Sequence, residues 1–431
     1  MSPGLDDVDL LIVGAGLSGS RLFVELVTLW EAEAGSAPSV AMVDRLGAFG
    51  RGVAYGTPSQ PGALLIEPVT ESTPAEFHAW LREHPEQLLP NVAAGVPALA
   101  DWHERNAAQL ARGDLTGVHL PRHIFGAYAE QQLIDAVARA RGRLGADVRQ
   151  LVGEVTDLRG EGDPWQARCA DGRRLSARVV VLAVGSVPRL NRTGLGPADG
   201  YVHDLYEGGF ERLDALISGQ RRSRIVAIGS NAAAAELLHH LAHTPQLPER
   251  VGTIEVISGS GRLPGRPHPA GLRPSPREYM AAAARLEAAG KLVVRAGLVA
   301  GIARTASGLR MRVSGADAPV EADIVVDCTG AGRTDDTASP LLANLVGGRQ
   351  GFTPDPTRRG LRMDPVTFEV EGAPHVFVIG PLLNRDAIAT HVESINAVHR
   401  TAAHLAPYVH RRLRELRGAA ATTIGSHGAH H

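Results

Sequence analysis

Residues 8–21 read VDLLIVGAGLSGSR, an apolar run that passes through closely spaced glycines into a helical pattern. The apolar residues predict a buried parallel strand, and Gly14, Gly16 and Gly19 have the G-x-G-x-x-G spacing of a dinucleotide-binding turn. In such a turn the first glycine permits the tight reversal, the second lets the backbone approach a pyrophosphate, and the third lets the helix pack on the strand. The N–H groups and the positive dipole end of the helix then face the phosphates.

A second strand is predicted at residues 39–43, and it ends at Asp44, whose carboxylate is placed to accept hydrogen bonds from an adenosine ribose. The span from Gly14 to Asp44 is longer than the usual span of about 20 residues, and the polar segment 31–38 absorbs the excess. The order of strand, turn, helix, strand and acidic residue is a more specific sign of dinucleotide binding than the glycine spacing alone. The alternative is a glycine-rich turn that binds nothing.

The chain has 431 residues, which predicts two or three domains. Its net charge of −2 gives no electrostatic case for binding nucleic acid or a membrane surface. The N-terminal segment is acidic, and no later stretch reaches about 18 uninterrupted apolar residues. These features predict a cytoplasmic protein without a signal peptide or membrane span.

The cysteine and lysine contents exclude several classes of enzyme. The two cysteines, Cys169 and Cys328, form no C-x-x-C pair, which argues against dithiol redox chemistry and against a cysteine zinc site. Lys291 is the only lysine, and it lacks the upstream glycine of a P-loop. A Schiff-base mechanism would have to use this one residue, so it is disfavoured. No metal site is predicted.

A second nucleotide-binding unit is predicted from residues 224–238, which read RIVAIGSNAAAAELL. Gly229 ends the strand, but Asn231 and Ala234 stand where the other two glycines would be. Asparagine tolerates left-handed backbone angles, so we expect the turn to persist, with the pyrophosphate somewhat farther away. The next predicted strand, residues 253–257, ends in Ser258 without an acid.

Two arginines, Arg262 and Arg266, follow Ser258. The missing carboxylate and the nearby arginines favour the 2′-phosphate of NADPH over NADH. The alternative is that both arginines lie on a solvated loop. Two Rossmann-like units in one chain are best explained by a flavin in one and a nicotinamide dinucleotide in the other.

The other predicted elements connect and extend these two units. Helices are predicted at 77–89, from Pro121 onward, at 278–289 and at 391–405, and a disordered tail is predicted beyond Arg417. Small antiparallel strands are predicted at 148–158, 166–170 and 174–177, with a hairpin turn at Asp171-Gly172. Further apolar strands are predicted at 177–190, 292–296, 322–333 and 375–383.

Several motifs together resemble those of the bacterial FAD/NAD(P)-binding proteins. They are the Gly14–Gly19 turn, FGRGVAYGT at 49–57, Pro121-Arg122 with Phe125 and Tyr128, Ala183-Val-Gly185, Ile228-Gly-Ser-Asn231, Asp327-Cys-Thr-Gly330 and Ile379-Gly-Pro-Leu382. These proteins are related to the flavoprotein monooxygenases with two dinucleotide-binding domains, a group that includes amine N-hydroxylating enzymes acting on amino acids. The likeness spans residues 8–405, and the glycine-rich loop at 49–57 is its most specific part.

The resemblance implies an α/β fold in which an NADPH domain is inserted into a discontinuous FAD domain. The implied boundaries are 1–190 and 322–417 for the FAD domain, 191–321 for the NADPH domain and 418–431 for the tail. The chain departs from relatives in several places: it lacks the cysteine pair of the flavin disulfide reductases, Gly380 is followed by Pro381 where many relatives have aspartate, and Asn231 weakens the nicotinamide assignment. Lysines that some N-hydroxylases use to steer substrate or cofactor are absent, so arginine would take that role.

The implied activity is that of a FAD- and NADPH-dependent monooxygenase in bacterial secondary metabolism. It would use O2 and a flavin C4a-peroxide to N-hydroxylate the amine of a small-molecule substrate, a small amino acid, with the acidic ones among the candidates. One alternative is a non-oxygenating FAD-dependent NAD(P)H oxidoreductase, and another is a flavin-binding scaffold or sensor without turnover. The sequence leaves the oligomeric state open, a homo-oligomer included.

Candidate catalytic residues are Arg51, Tyr55, His123, Arg385, His391 and Glu393. Arg51 or Arg385 could pair bidentately with a substrate carboxylate, whereas each histidine is more often a structural group. Candidate cofactor-binding residues are Gly14, Gly16, Leu17, Ser18, Gly19, Asp44, Arg45, Gly52, Val53, Arg122, Val155, Gly185, Gly229, Ser230, Asn231, Ser258, Arg262, Gly330, Gly380 and Pro381.

Overall fold

The computed structural model describes residues 6–33, 37–89, 95–160, 162–220, 222–244, 247–264, 275–348, 350–383 and 394–427. The chain divides into two compact units: unit 1 comprises residues 1–52, 126–190 and 331–431, and unit 2 comprises residues 53–125 and 191–330. Each unit contains a parallel sheet with helices, which confirms the predicted α/β class with two Rossmann-like domains. Residues 53–125 group with unit 2, although the predicted boundary places them with the segment 1–190.

The elements are numbered in chain order. The strands are β1 Asp6–Val13, β2 Val40–Asp44, β3 Val148–Val152, β4 Val155–Arg159, β5 Trp165–Cys169, β6 Arg174–Leu182, β7 Tyr201–Val202, β8 Ser223–Ile228, β9 Val251–Ser258, β10 Leu292–Ala296, β11 Val299–Thr305, β12 Gly308–Val313, β13 Val320–Ala322, β14 Ile324–Asp327 and β15 Val376–Val378. The α-helices are α1 Leu17–Ala32, α2 Gly52–Tyr55, α3 Val69–Ser72, α4 Ala75–Glu83, α5 Pro97–Leu110, α6 Arg122–Leu144, α7 Gly209–Ser218, α8 Ala232–His243, α9 Leu247–Arg250, α10 Arg277–Ala288, α11 Pro340–Gly347 and α12 Ile395–His427.

The sheet of unit 1 has the order β3-β2-β1-β6-β5-β4, and β15 also pairs with β6. The strands β1, β2, β3, β6 and β15 are parallel, and β5 and β4 continue the sheet antiparallel. Leu10, Leu11 and Ile12 are fully buried because helices cover both faces of a parallel sheet. The apolar side of α1, which includes Phe23 and Leu26, packs into the same core.

The predicted antiparallel strand at 148–158 is wrong in one respect. The structure divides it into β3, which pairs parallel with β2, and β4, which alone joins the antiparallel part. The break falls at Gly153, whose N–H donates to the Asp44 carbonyl at 3.0 Å. Apolar alternation within one segment cannot reveal that its two halves pair with different strands. The Asp171-Gly172 turn forms as predicted, with Gly172 at φ +88°.

Unit 2 contains a five-stranded parallel sheet of order β10-β9-β8-β14-β7 and a separate antiparallel sheet of β11, β12 and β13. The predicted strand at 292–296 is confirmed residue for residue. In unit 1 the last helix begins at Ile395 and continues to His427, past Arg417, where the sequence predicts a disordered tail. No helix of the described ranges is both long and apolar enough to cross a membrane.

His239 is a fully buried histidine of α8 whose ring lies against Tyr279 at 4.8 Å and His243 at 4.5 Å. Burial lowers the pKa of His239 to about 3. Below about pH 6.5 the unfolded chain therefore takes up a proton that the folded chain does not. The free energy of unfolding decreases as the pH is lowered from about 6.5 to 3.

We expect His239→Leu to lose less stability than the wild type when urea denaturation is repeated at pH 7 and at pH 4.5. The exposed His404 provides a control, since His404→Leu should keep the full pH dependence. An unchanged slope of unfolding free energy against pH in His239→Leu would show that His239 does not contribute.

Candidate functional site

The turn after β1 is fixed by close backbone contacts. Gly14 has φ +94°, and its N–H donates to the Val43 carbonyl at 2.8 Å. A Cβ at Gly14 would lie 2.3 Å from the Ala183 carbonyl oxygen, just beyond β6. Glycine is therefore required here both for the left-handed angle and for the approach of the neighbouring chain.

The other two glycines of the turn also lie against backbone. A Cβ at Gly19 would be 2.1 Å from the Gly14 carbonyl oxygen, so this glycine lets α1 pack on the turn. A Cβ at Gly16 would be 3.1 Å from the Cα of Gly52, so the turn and the glycine-rich loop meet without side chains. Gly16 supplies no side-chain cap to α1, and the first helical turn carries no acid. The first N–H groups of any α-helix lack an intrahelical partner. Because no side chain caps those of α1, they can bind a pyrophosphate.

Asp44 closes this turn from the end of β2. Its carboxylate accepts hydrogen bonds from the N–H groups of Ala15 at 3.1 Å, Leu46 at 3.0 Å and Ala48 at 3.2 Å. Asp44 is 9% exposed. A carboxylate offers about four lone-pair sites, so Asp44 retains capacity for a ribose hydroxyl. Arg45 follows it at an exposed bend.

We expect Asp44→Ala to lower both FAD retention and the thermal midpoint, because it leaves three N–H donors without their acceptor. Of the three, the Ala15 N–H is buried, and an orphaned buried donor costs about 1–3 kcal/mol. Asp44→Asn keeps one acceptor oxygen and should lie between the alanine variant and the wild type. The exposed Asp135, on α6, gives the control Asp135→Ala. Wild-type flavin content and thermal midpoint in Asp44→Ala would contradict this role.

Two residues that the sequence did not single out fasten the glycine-rich loop. The Ser20 hydroxyl donates to the Ala15 carbonyl at 2.7 Å and accepts from the Gly50 N–H at 3.1 Å. Arg51 pairs with Glu130 of α6 at 2.6 Å. The loop is therefore held to both the Gly14 turn and α6. Ser20, a small polar residue on the buried side of α1, gave a weak signal in the sequence, and Glu130 gave none.

The structure places some predicted catalytic residues and not others. Arg51 already has a carboxylate partner, and its side chain is 30% exposed, so a substrate carboxylate would have to exchange with Glu130. Three predicted catalytic residues and one predicted NADPH residue lie outside the described residues: Arg385, His391, Glu393 and Arg266.

The end of β15 also meets the first turn of α1. Gly380 has φ +77°, and a Cβ there would lie 2.7 Å from the Ser18 hydroxyl oxygen. Gly380 and Pro381 belong to a short 3-10 turn. Gly185 follows β6 at φ +76° with open space beside its Cα. Unit 1 therefore gathers many predicted cofactor residues: Gly14, Gly16, Leu17, Ser18, Gly19, Asp44, Gly52 and Gly380.

Two further predicted cofactor residues lie at the ends of elements. Val53 is the second residue of α2, and it belongs to unit 2. Val155 is the first residue of β4 in unit 1, where it is buried opposite Cys169. A cofactor could reach Val155 only through its backbone, because the side chain is in the core.

The turn after β8 in unit 2 repeats the construction of the Gly14 turn. Gly229 has φ +97°, and its N–H donates to the Ile257 carbonyl at 2.7 Å. A Cβ at Gly229 would lie 2.6 Å from the Cys328 carbonyl oxygen, beyond β14. The degenerate glycine pattern thus builds the same turn as the strict one. Ser230 is the next residue, and it is half-buried.

Asn231 corrects one expectation. Its φ of −91° and ψ of −166° are extended rather than left-handed, and Gly16 has nearly the same conformation. The turn therefore does not need asparagine's tolerance of left-handed angles. Instead, the Asn231 side chain caps α8 by accepting the Ala233 N–H at 3.0 Å. Its amide nitrogen also lies 2.9 Å from the ideal Cβ position of Gly330.

The region after β9 contains the remaining nicotinamide candidates. Ser258 is the last residue of β9, and its hydroxyl is 3.4 Å from that of Ser260. Arg262 is exposed a few residues later. Since β9 corresponds to β2 and ends in serine, this position carries no carboxylate like Asp44.

Arg122 has an internal partner that its neighbours in the sequence do not reveal. Its guanidinium forms an ion pair with Glu236 of α8, and its Nε donates to the Leu64 carbonyl at 2.9 Å. The Glu236 carboxylate is fully buried and also accepts the Tyr206 hydroxyl at 3.1 Å. Burial raises the pKa of Tyr206, so this hydroxyl stays a donor. Glu236 is one acid within an alanine and leucine run, which was the available sequence signal.

Tyr55 and His123, two other predicted catalytic residues, also belong to unit 2. The Tyr55 ring packs against Phe125 with centroids 5.4 Å apart, and burial raises the pKa of its hydroxyl. His123 is the second residue of α6, next to Arg122. Within the described ranges no group of three His, Cys, Asp or Glu side chains is arranged to hold a metal ion.

The part of the chain that contains the first nucleotide turn is similar to a known protein family. Residues 11–187 match the model of a FAD-NAD(P)-binding family. An uncharacterised protein of Mycobacterium tuberculosis is 29% identical over 286 residues, which cover 59% of this chain and 52% of that protein. The chain thus spans about half the length of the curated relatives that it matches. The family match confirms the predicted resemblance and a cofactor pair of FAD and a nicotinamide dinucleotide.

Solved structures of flavoproteins share the fold. Those that resemble this chain are an ornithine hydroxylase from Pseudomonas aeruginosa (TM-score 0.60, 16% identity, 94% of this chain and 99% of that chain), an L-lysine 6-monooxygenase from Pseudomonas syringae (0.59, 16%, 95% and 99%) and a thioredoxin reductase from T. acidophilum (0.51, 15%, 94% and 98%). At these identities the likeness concerns the fold alone. It covers enzymes with different reactions, so the fold does not name the activity.

Proposed function

We propose that this chain, whose residues 11–187 match the model of a FAD-NAD(P)-binding family, is a FAD- and NADPH-dependent monooxygenase that hydroxylates the amine of a small amino acid. The observation that carries the proposal is the repetition of one turn geometry, around Gly14 in unit 1 and around Gly229 in unit 2. Two such turns suit a chain that holds a flavin and receives electrons from a second dinucleotide.

In unit 1 the residues present fit FAD. The glycine backbones at Gly16 and Gly52 leave a side-chain-free surface beside the first turn of α1, where a pyrophosphate would bind. Asp44 would take a ribose hydroxyl with its remaining lone pair. When bound, FAD supplies the two-electron acceptor and the group that reacts with O2. The chain's contribution is to bind, orient and exclude water.

In unit 2 the residues present fit a nicotinamide dinucleotide less closely. Gly229 provides the turn, and α8 provides the helix N-terminus without an acid in its first turn. Ser258 replaces the ribose-binding carboxylate, so a 2′-phosphate meets no negative charge there. Arg262 is exposed nearby and would supply the positive charge that selects NADPH.

The substrate class is proposed from two lines of support. Two neighbours in fold, the ornithine hydroxylase and the L-lysine 6-monooxygenase, act on amino acids by their names. In this chain Arg51 would hold the substrate carboxylate by exchanging it for Glu130, whose side chain is 41% exposed and can move into solvent. Such an exchange favours a small substrate with a free carboxylate.

A second candidate function is a non-oxygenating NAD(P)H oxidoreductase. The shared fold with a thioredoxin reductase is the observation that favours it. Cys169 and Cys328 are buried, form no disulfide and are not a C-x-x-C pair, which argues against a dithiol mechanism of that type. The electron acceptor would instead be a small molecule. A flavin-binding scaffold without turnover is the third alternative.

The test measures NADPH and O2 consumption by the FAD-loaded protein against a panel of free amino acids, small acidic ones first. We expect one amino acid to stimulate both rates and to yield a hydroxylamine or nitroso product in proportion to the O2 consumed. Rapid NADPH oxidation that needs a non-oxygen acceptor would favour the second candidate. A flavin that NADPH does not reduce would favour the scaffold.

A further inference from the structure

The two nucleotide turns differ at one position in a way that affects anion binding. Gly16 and Asn231 occupy the same place, directly before the helix, with nearly the same backbone angles. Gly16 has no side chain, so it leaves the N–H groups of α1 uncapped. The Asn231 carboxamide oxygen accepts the Ala233 N–H at 3.0 Å. In unit 2 the protein itself therefore supplies the acceptor that a phosphate oxygen would otherwise provide.

The Asn231 side chain also takes up space on the ligand side of the turn. Its amide nitrogen lies 2.9 Å from the ideal Cβ position of Gly330, which has φ +93°. The second position of this motif is the one where a bare backbone lets a pyrophosphate approach. A pyrophosphate at α8 must either displace the carboxamide or bind farther from the helix.

We propose that Asn231 competes internally with the pyrophosphate of the nicotinamide dinucleotide at the Gly229 turn, and so weakens binding of this cofactor. The inference rests on the proposed function, since it takes unit 2 to be the nicotinamide site. Asn231 is thus a positioning residue and not a ligand for the cofactor: its side chain caps the N-terminus of α8 and lowers the affinity for the dinucleotide.

The variants for testing this are Asn231→Gly, Asn231→Ser and Asn231→Asp. Glycine at an N-cap costs little helix stability, so Asn231→Gly should fold. Serine keeps a shorter cap, and aspartate adds a negative charge where the pyrophosphate would bind. Ser339 provides a matched control, because it caps α11 of unit 1 by accepting the Leu342 N–H, and Ser339→Gly removes that cap far along the chain.

The experiment titrates each FAD-loaded protein with NADP⁺ by isothermal titration calorimetry and records flavin content and thermal midpoint alongside. NADP⁺ binds without reducing the flavin, so the readout is affinity rather than turnover. We expect Asn231→Gly to bind NADP⁺ about tenfold more tightly than the wild type, because the cofactor gains one hydrogen bond to a charged group. Asn231→Ser should fall between them, and Asn231→Asp should bind more weakly than the wild type. Ser339→Gly should match the wild type.

If Asn231→Gly binds NADP⁺ as tightly as the wild type or more weakly, the inference is overturned. The Asn231 carboxamide would then either have no effect on cofactor affinity or be a ligand for the cofactor. This result would leave the proposed function intact. If neither the wild type nor Asn231→Gly binds NADP⁺ while both retain FAD, the inference and the nicotinamide part of the proposed function both fail.

Discussion

Arg122→Ala should lower the free energy of unfolding by about 3–5 kcal/mol, because it leaves the Glu236 carboxylate charged, buried and without its cation. The Glu236 side chain is fully buried and that of Arg122 is 11% exposed, so water cannot replace the lost partner. The Leu64 carbonyl loses its bond to the guanidinium as well. The measurement is chemical denaturation of the wild type and variant at the same pH and salt.

Two comparisons separate the effect of the unpaired Glu236 charge from the general effect of shortening the Arg122 side chain. Replacing both partners, as in Arg122→Leu with Glu236→Leu, removes the charges together and should recover most of the loss. Arg295→Ala breaks an ion pair with Glu255 on the surface of unit 2, where the arginine is 44% exposed, and should cost less than about 1 kcal/mol. If Arg122→Ala lowers the free energy of unfolding no more than Arg295→Ala does, the buried ion pair between Arg122 and Glu236 is not important for stability.

Gly14→Ala should abolish FAD retention. At φ +94° an alanine is strained, and its Cβ would lie 2.3 Å from the Ala183 carbonyl oxygen, so β6 and the turn must separate. The N–H groups of α1 then leave the positions from which they would bind a pyrophosphate. The ratio of flavin to protein after purification, and after reconstitution with excess FAD, measures the effect.

Gly172→Ala is the matched control for the backbone strain alone. Gly172 lies in the hairpin turn of unit 1 at φ +88°, and no atom lies within 4 Å of its ideal Cβ position. This variant should keep its flavin and lose only a little stability. A Gly14→Ala protein that holds FAD as well as Gly172→Ala would show that the contact with Ala183 is not needed for binding.

The sequence predicted the parts of the fold that depend on local backbone chemistry. Gly14 and Gly229 are needed because their left-handed angles and close contacts exclude other side chains, so their spacing was visible in the sequence. The strand that ends at Asp44 was predicted for a similar reason, since an apolar run that ends in one acid is a local pattern.

The features that the sequence did not predict depend on contacts between residues far apart in the chain. Arg122 and Glu236 are separated by more than a hundred residues, and nothing near either one reveals the pair. The same holds for Arg51 and Glu130, and for the pairing of β3 with β2. Asn231 differs for another reason, because asparagine both tolerates left-handed backbone angles and caps helices, and in this turn it caps α8.

The most direct test of whether this chain holds a flavin that NADPH reduces is an anaerobic titration of the purified protein with NADPH, followed by its visible absorbance. We expect the protein to retain FAD, or to take it up when FAD is added, and NADPH to bleach the flavin spectrum stoichiometrically. A protein that holds no chromophore even with excess FAD present would contradict this expectation.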